Sequence, residues 1–193
     1  TTGVVTKSSG AGNVIFTNSL TNNGIINVDV GIMELRGGAT ATGNFAVASG
    51  ATLDLEAGAY TFGAGSGITG LGTLTHTGAT SDFSASTGIA NTLTLDVSAG
   101  SMTFGSAVPT VGLLTITGSG SVISGANLVV GNDLSINGST GASLDIAGTL
   151  DVIGALNLRQ GSLTVSGLTT VTGLTTWNAP SNGSAQNFLL DGL

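Results

Sequence analysis

A short apolar–polar–apolar triplet recurs along this chain at nearly constant spacing. It occurs as Met33-Glu34-Leu35, Leu53-Asp54-Leu55, Leu93-Thr94-Leu95, Leu114-Thr115-Ile116, Leu134-Ser135-Ile136 and Leu156-Asn157-Leu158. Thr73-Leu74-Thr75 is a weaker copy between Leu53 and Leu93, and Thr176-Trp177-Asn178 closes the series. Successive copies start about 21 residues apart, a period that belongs to stacked solenoids rather than to globular domains. The second half shows what fills each turn. Val122, Leu128 and Leu134 begin three short apolar segments, the trio returns as Leu144, Leu150 and Leu156, and a looser copy starts at Leu163, Val171 and Trp177.

Within each segment apolar and polar residues alternate, as in Leu144-Asp145-Ile146 and Leu163-Thr164-Val165. Alternation with a period of two puts the apolar side chains on one face of a strand. Segments this short, bounded by Gly, Asn and Ser, form strands and not helices. If the chain coils, those side chains point inward and stack on their equivalents one turn away. The expected fold is all-β: a right-handed parallel β-helix (β-solenoid) of about nine rungs of roughly 21 residues, three short strands per rung. Residues 1–193 then make a single domain, about 43 Å long at ~4.8 Å per rung. Gly125, Gly131, Gly138, Gly141, Gly148, Gly154 and Gly161 lie between the apolar segments and are expected to supply bends with positive φ. Between Gly63 and Asn91 the pattern blurs, which predicts a wider rung or a loop. An antiparallel sandwich is the structural alternative, but it would not preserve the trio.

Composition narrows the function. Charged residues are 7% of the chain, against roughly 25% in ordinary domains, so Thr, Ser, Asn and Gly must solvate the surface. Disorder does not fit a chain that is 40% hydrophobic. A net charge of −7 with three basic residues, Lys7, Arg36 and Arg159, excludes nucleic acid as a partner. No apolar run is long enough for a membrane-spanning helix, and short strands with few aromatics do not suit a membrane barrel, so no membrane insertion is expected. Thr1-Thr2-Gly3-Val4-Val5 has neither the basic nor the apolar region of a leader, so a secreted chain would have lost it or be part of something longer. The absence of cysteine and the scarcity of lysine fit a bacterial secreted or cell-surface protein.

Gly50-Ala51-Thr52-Leu53-Asp54-Leu55, then Tyr60-Thr61-Phe62 and Gly70-Leu71-Gly72-Thr73-Leu74-Thr75, resemble bacterial large exoproteins of the filamentous-haemagglutinin and autotransporter-passenger type. Leu163 to Trp177 resembles the same repeats. The resemblance covers most of the chain and implies secretion, a β-helical shaft and a role in adhesion, surface coating or matrix.

Enzymes on β-helices need carboxylates that converge on one face. Aligning the triplets gives an outward ladder of Glu34, Asp54, Thr73 or its neighbour, Thr94, Thr115, Ser135 and Asn157. Only Glu34 and Asp54 are adjacent acids, able to share a proton or hold a cation. Asp145 and Asp151 fall on consecutive strands and so on different faces. Asp29, Asp96 and Asp133 have no acidic partner a rung away. His76 alone cannot build a zinc site, and no other cofactor is implied. Gly63-Ala64-Gly65-Ser66-Gly67 reads as a bend, since no helix follows to present phosphate-binding amides. Thr73, Thr75, Thr77, Thr92, Thr94, Thr115 and Thr117 recur at rung spacing and could form ranks of hydroxyls, interrupted by Asp54, Asp96 and His76. The function expected is an extracellular structural protein, not an enzyme: part of a surface fibre, sheath or adhesin shaft. Such a repeat protein would self-associate end to end or continue in a longer chain, with a glycan or surface receptor as a further partner. The alternatives are a carbohydrate-active β-helix enzyme and an ice- or glycan-binding module.

Overall fold

In the computed structural model, residues 3–90, 92–105, 110–138 and 141–178 are described, together with the backbone strand Asn187–Leu190. Every strand pairing among them is parallel, and no helix occurs. The chain is a β-solenoid with three columns of stacked strands. The first column begins Val4–Lys7, Ile25–Val28, Asn44–Val47 and ends Leu128–Val130, Leu150–Val152, Thr169–Val171. The second is an unbroken ladder nine strands deep, from Asn13–Phe16 and Ile32–Leu35 to Leu156–Gln160 and Thr175–Trp177. Nine strands make eight rung-to-rung steps. The third runs from Leu20–Asn22 through Ala39–Ala41 and Ala59–Phe62 to Ser162–Val165 and Asn187–Leu190.

Alternation drives this arrangement. In the second column Leu53, Leu74, Leu95, Leu114, Leu134 and Leu156 are register partners along one inward rank, all within 3% of full burial. Each such burial stabilises by about 2 kcal/mol. In the third column Phe62, Phe83 and Phe104 stack inward on one another. Phe62 and Phe83 are 4.0 Å apart and nearly parallel, and Phe83 and Phe104 are 5.4 Å apart. Phe45, from the first column, meets Phe62 edge-on at 5.9 Å. Offset rings add about 1 kcal/mol per pair beyond the area they bury.

Three sequence expectations need correction. First, the register differs by two residues in places. Leu74 pairs with Leu95, not with Leu93, and Asp96 takes the outward place expected for Thr94. Likewise Thr169 and Thr175 continue the Leu150 and Leu156 positions, and Val171 and Trp177 lie one alternation further on. A two-residue shift leaves every side chain on its face, so alternation alone cannot detect it. Second, residues 63–90 of the blurred region contain no large loop, and Asn91 lies outside the described residues. Thr73–Phe83 and Thr94–Phe104 run straight through the bend between second and third columns, with register irregularities between His76 and Thr80. That bulge disguises the repeat. Third, Gly161 has the expected positive φ, whereas Gly125, Gly138, Gly148 and Gly154 do not. Gly148 and Gly154 are required for a different reason: their bends lie directly against the previous bend. A Cβ on Gly154 would meet the Asn132 carbonyl carbon at 2.5 Å and its oxygen at 2.6 Å.

Candidate functional site

The outward rank of the second column is set by its register. It reads Ile15, Glu34, Asp54, Thr75, Asp96, Thr115, Ser135, Asn157 and Thr176. Glu34 and Asp54 are therefore direct neighbours one rung apart, as their spacing implies. Their chemistry is taken up elsewhere. The Arg36 Nε–H donates to Glu34 Oε1 and, at 2.6 Å, to Glu56 Oε2. Asn13 Nδ2 donates to Glu34 Oε2 at 3.2 Å. Thr77 Oγ1 donates to Asp54 Oδ1 at 3.0 Å. Glu34 is only 5% exposed, yet it is covered by a thin layer of neighbouring side chains and is not sunk in the core. Its interaction with Glu56, joined by Arg36 and Asn13, holds its carboxyl below the ordinary range against the opposing effect of burial. An ionised carboxylate clamped by a guanidinium is a poor general acid and leaves little capacity for a cation.

Arg36 and Glu56 were not singled out from sequence, although the signal was present. Glu34 and Arg36 are two apart on a strand, hence on one face, and Glu56 lies one rung from Arg36. Arg36 and Glu56 are both exposed, so their pairing fixes side-chain positions and contributes little to stability.

The structure turns His76 inward. It occupies the rank of Leu55 and Val97 and is fully buried. Its Nδ1 lies 2.9 Å from the Ala99 carbonyl and so carries the hydrogen, which leaves Nε2 to accept from Ser81 Oγ at 3.0 Å. Burial depresses its pKa below 6.5, so the imidazole is neutral at pH 7. A serine hydroxyl on a neutral imidazole is the geometry of an activated nucleophile. Here neither partner reaches the surface, Ser81 being 1% exposed, and the pair satisfies polar groups inside the core at the bulge. His76 consequently does not interrupt any outward rank of threonines, contrary to the sequence expectation.

The hydroxyl ranks are present in a different arrangement from that expected. Thr52, Thr73 and Thr94 are in register, but Thr92 sits in a bend and donates to the Gly70 carbonyl at 2.7 Å. The third column carries two further ranks. One is Thr80, Ser101, Ser121, Ser143 and Ser162, within which Ser143 Oγ donates to Ser121 Oγ at 2.9 Å. The other is Thr21, Thr40, Thr61, Asp82, Thr103, Ile123, Asp145 and Thr164. Asp145 therefore faces away from Asp151, which lies in the first column between Val129 and Thr170.

Among the described residues no group of three or more His, Asp or Glu side chains is placed to hold a metal ion. Hollows of about 190 and 250 Å³ lie at the N-terminal end of the stack, where the first rung leaves the core open. The larger is lined by Val5, Lys7, Val14, Phe16 and Met33 among others. Lys7 points inward there, and its ammonium donates to the carbonyls of Gly10 at 2.7 Å and Val30 at 2.8 Å, with a longer contact to Ser9. Compared with protein-family models, curated proteins and solved structures, the chain matches none.

Proposed function

We propose that this chain is an extracellular structural element, the shaft or spacer of a bacterial surface fibre, sheath or adhesin. One observation carries the reading: hydroxyl and amide side chains stand in register, rung after rung, on the outside of a parallel stack. Strand backbone bonds run along the rod and are repeated in three columns, so tension along the axis is shared by many bonds at once. Neutral polar ranks solvate the surface while hydrogen-bonding to one another, as Ser121 and Ser143 do. Resemblance to filamentous-haemagglutinin and autotransporter-passenger repeats points the same way. A carbohydrate-active enzyme has less to stand on, since Glu34 and Asp54 are tied to Arg36, Asn13 and Thr77. An ice- or glycan-binding face would have to work around Asp54 and Asp96 within its threonine ranks.

Pulling single molecules tethered at both ends tests the shaft reading. Release should come in steps of one rung, each adding about 70 Å of chain at ~3.4 Å per residue. Collapse of the whole stack at negligible force would count against it. So would turnover of a polysaccharide that is lost in Glu34→Gln/Asp54→Asn.

A further inference from the structure

We propose that the corner where the second column turns into the third, at the rung of His76, is an acid-sensitive joint: protonation of the imidazole opens it and uncovers the phenylalanine stack beside it. The ring ties two rungs together at that corner. Its Nδ1–H donates to the Ala99 carbonyl of the following rung at 2.9 Å, and its Nε2 accepts from Ser81 Oγ at 3.0 Å, five residues along its own strand. Both side chains are buried. A protonated ring donates from both nitrogens. Ser81 would then have to accept from Nε2 and turn its own hydrogen away, although among the described residues its hydroxyl has no other hydrogen-bond partner. Protonating the closed corner therefore places a charge in the core and orphans a hydroxyl at the same time.

The charged groups on the neighbouring elements do not offset this. Leu55, the register partner on one side, lies between Asp54 and Glu56, and Val97, the partner on the other, follows Asp96. Asp54 and Asp96 stand in the outward rank, Glu56 is engaged by Arg36, and Asp82, just beyond Ser81, accepts from the Ser84 N–H at 2.8 Å. Tyr60, the register partner of Ser81, stays neutral because burial pushes its phenol up to about 12. Of these groups Asp54 favours the charged ring, as does the Ala99 carbonyl, but burial outweighs both. The backbone is only loosely laddered at this corner. Leu55 pairs with His76 and Ala59 with Thr80, so Thr77, Gly78 and Ala79 have no register partner in the preceding rung. Toward the following rung only Thr77 of these three has one, Ala99. Opening these few residues lets water reach the ring without taking the three columns apart. Ser81 and Phe83 share the inward face, so the same opening uncovers the rings of Phe62, Phe83 and Phe104.

Native-state hydrogen exchange between pH 7.5 and 5.5, corrected for the intrinsic rate at each pH, tests the joint. An opening that takes up one proton has an equilibrium constant rising by up to about tenfold for each unit below about pH 6.5. That rise should appear at the amides of Ala79, Thr80, Ser81, Ala99 and Gly100, while those of Ser135, Ile136, Asn157 and Leu158 keep their protection. Binding of an apolar fluorescent dye should increase over the same range. His76→Gln keeps one donor and one acceptor at every pH and should abolish both effects. If that variant does not fold, NMR titration of the sole imidazole replaces it, and its midpoint should lie below pH 6.5 and track the exchange. Exchange that stays flat, that rises equally in every rung, or that still rises in His76→Gln overturns the proposal. So does an imidazole that titrates at or above pH 6.5.

Discussion

Two glycine substitutions should have effects opposite to what backbone angles suggest. Gly50 has φ +78°, a conformation that disfavours every other residue, but its Cβ position is open, with nothing within 4 Å. Placing Ala there costs the left-handed penalty of about 1–2 kcal/mol and no more. Gly154 has no positive φ, yet an added Cβ would be 2.5 Å from the backbone carbon of Asn132 and 2.6 Å from its oxygen. Ordinary carbon contacts begin near ~3.5 Å, so the two bends must separate by about 1 Å. That separation breaks the Gly154 N–H bond to the Asn132 carbonyl, 2.9 Å, and the Ala155 N–H bond to Asp133 Oδ1, 2.7 Å. The first is worth about 1 kcal/mol and the second, made to a carboxylate, about 2 kcal/mol. Gly154→Ala should therefore cost about 3 kcal/mol, a fall in Tm of roughly 6–12 °C for a chain of this length. Urea unfolding followed by circular dichroism compares the two variants, and faster hydrogen exchange at Ala155 localises the damage. If Gly50→Ala is the more destabilising of the two, the steric account of the bends is wrong.

Phe83→Ala removes the middle ring of the internal stack and should cost about 3–5 kcal/mol, whereas Phe83→Leu should cost less than half of that; equal losses by chemical denaturation would show that stacking contributes nothing. His76 is the sole histidine and its folded pKa lies below 6.5, so the unfolded chain binds the extra proton first. Stability is then complete above about pH 7 and falls as the pH drops below 6.5, by at most about 1.4 kcal/mol per unit, and His76→Leu/Ser81→Ala should flatten a Tm profile measured from pH 7.5 to 5.5. Asp96 has the opposite sign: burial raises its pKa, though Thr115 partly offsets this, so its charge is a liability at neutral pH and Asp96→Asn should raise Tm at pH 7. Lys7→Met leaves the Gly10 and Val30 carbonyls without their charged donor and should cost about 2 kcal/mol, seen as faster exchange confined to the first rung.

The solenoid, its rung length and its three strands per turn were legible because alternation and period are written directly in the residues. Absolute register was not, since Leu93-Thr94-Leu95 and Leu95-Asp96-Val97 satisfy the alternation equally well. Phe62, Phe83 and Phe104, evenly spaced at 21 residues, hold the missing information and fix the register across the bulge. His76 was misread because a polar residue was assumed to face water, although Leu74 two positions earlier is apolar and period two carries His76 inward with it. The bend glycines were assigned to dihedral freedom because sequence cannot display a neighbouring bend. Contact between bends is a tertiary fact, visible only once the rungs are stacked.

Steps between partners vary from 19 residues, Val14 to Met33, to 25, Ser162 to Asn187, while the columns stay aligned. Length is absorbed in the bends, and only parity is enforced in the strands. This makes the rung a unit of heredity as well as of structure. Excising residues 134–155 would join Asp133 to Leu156 and set Leu156 over Leu114, with every following side chain still on its own face. Duplicating the same stretch would lengthen the rod by one layer. A chain governed by such a rule can change its reach in whole turns through single recombination events, without inventing a new core each time.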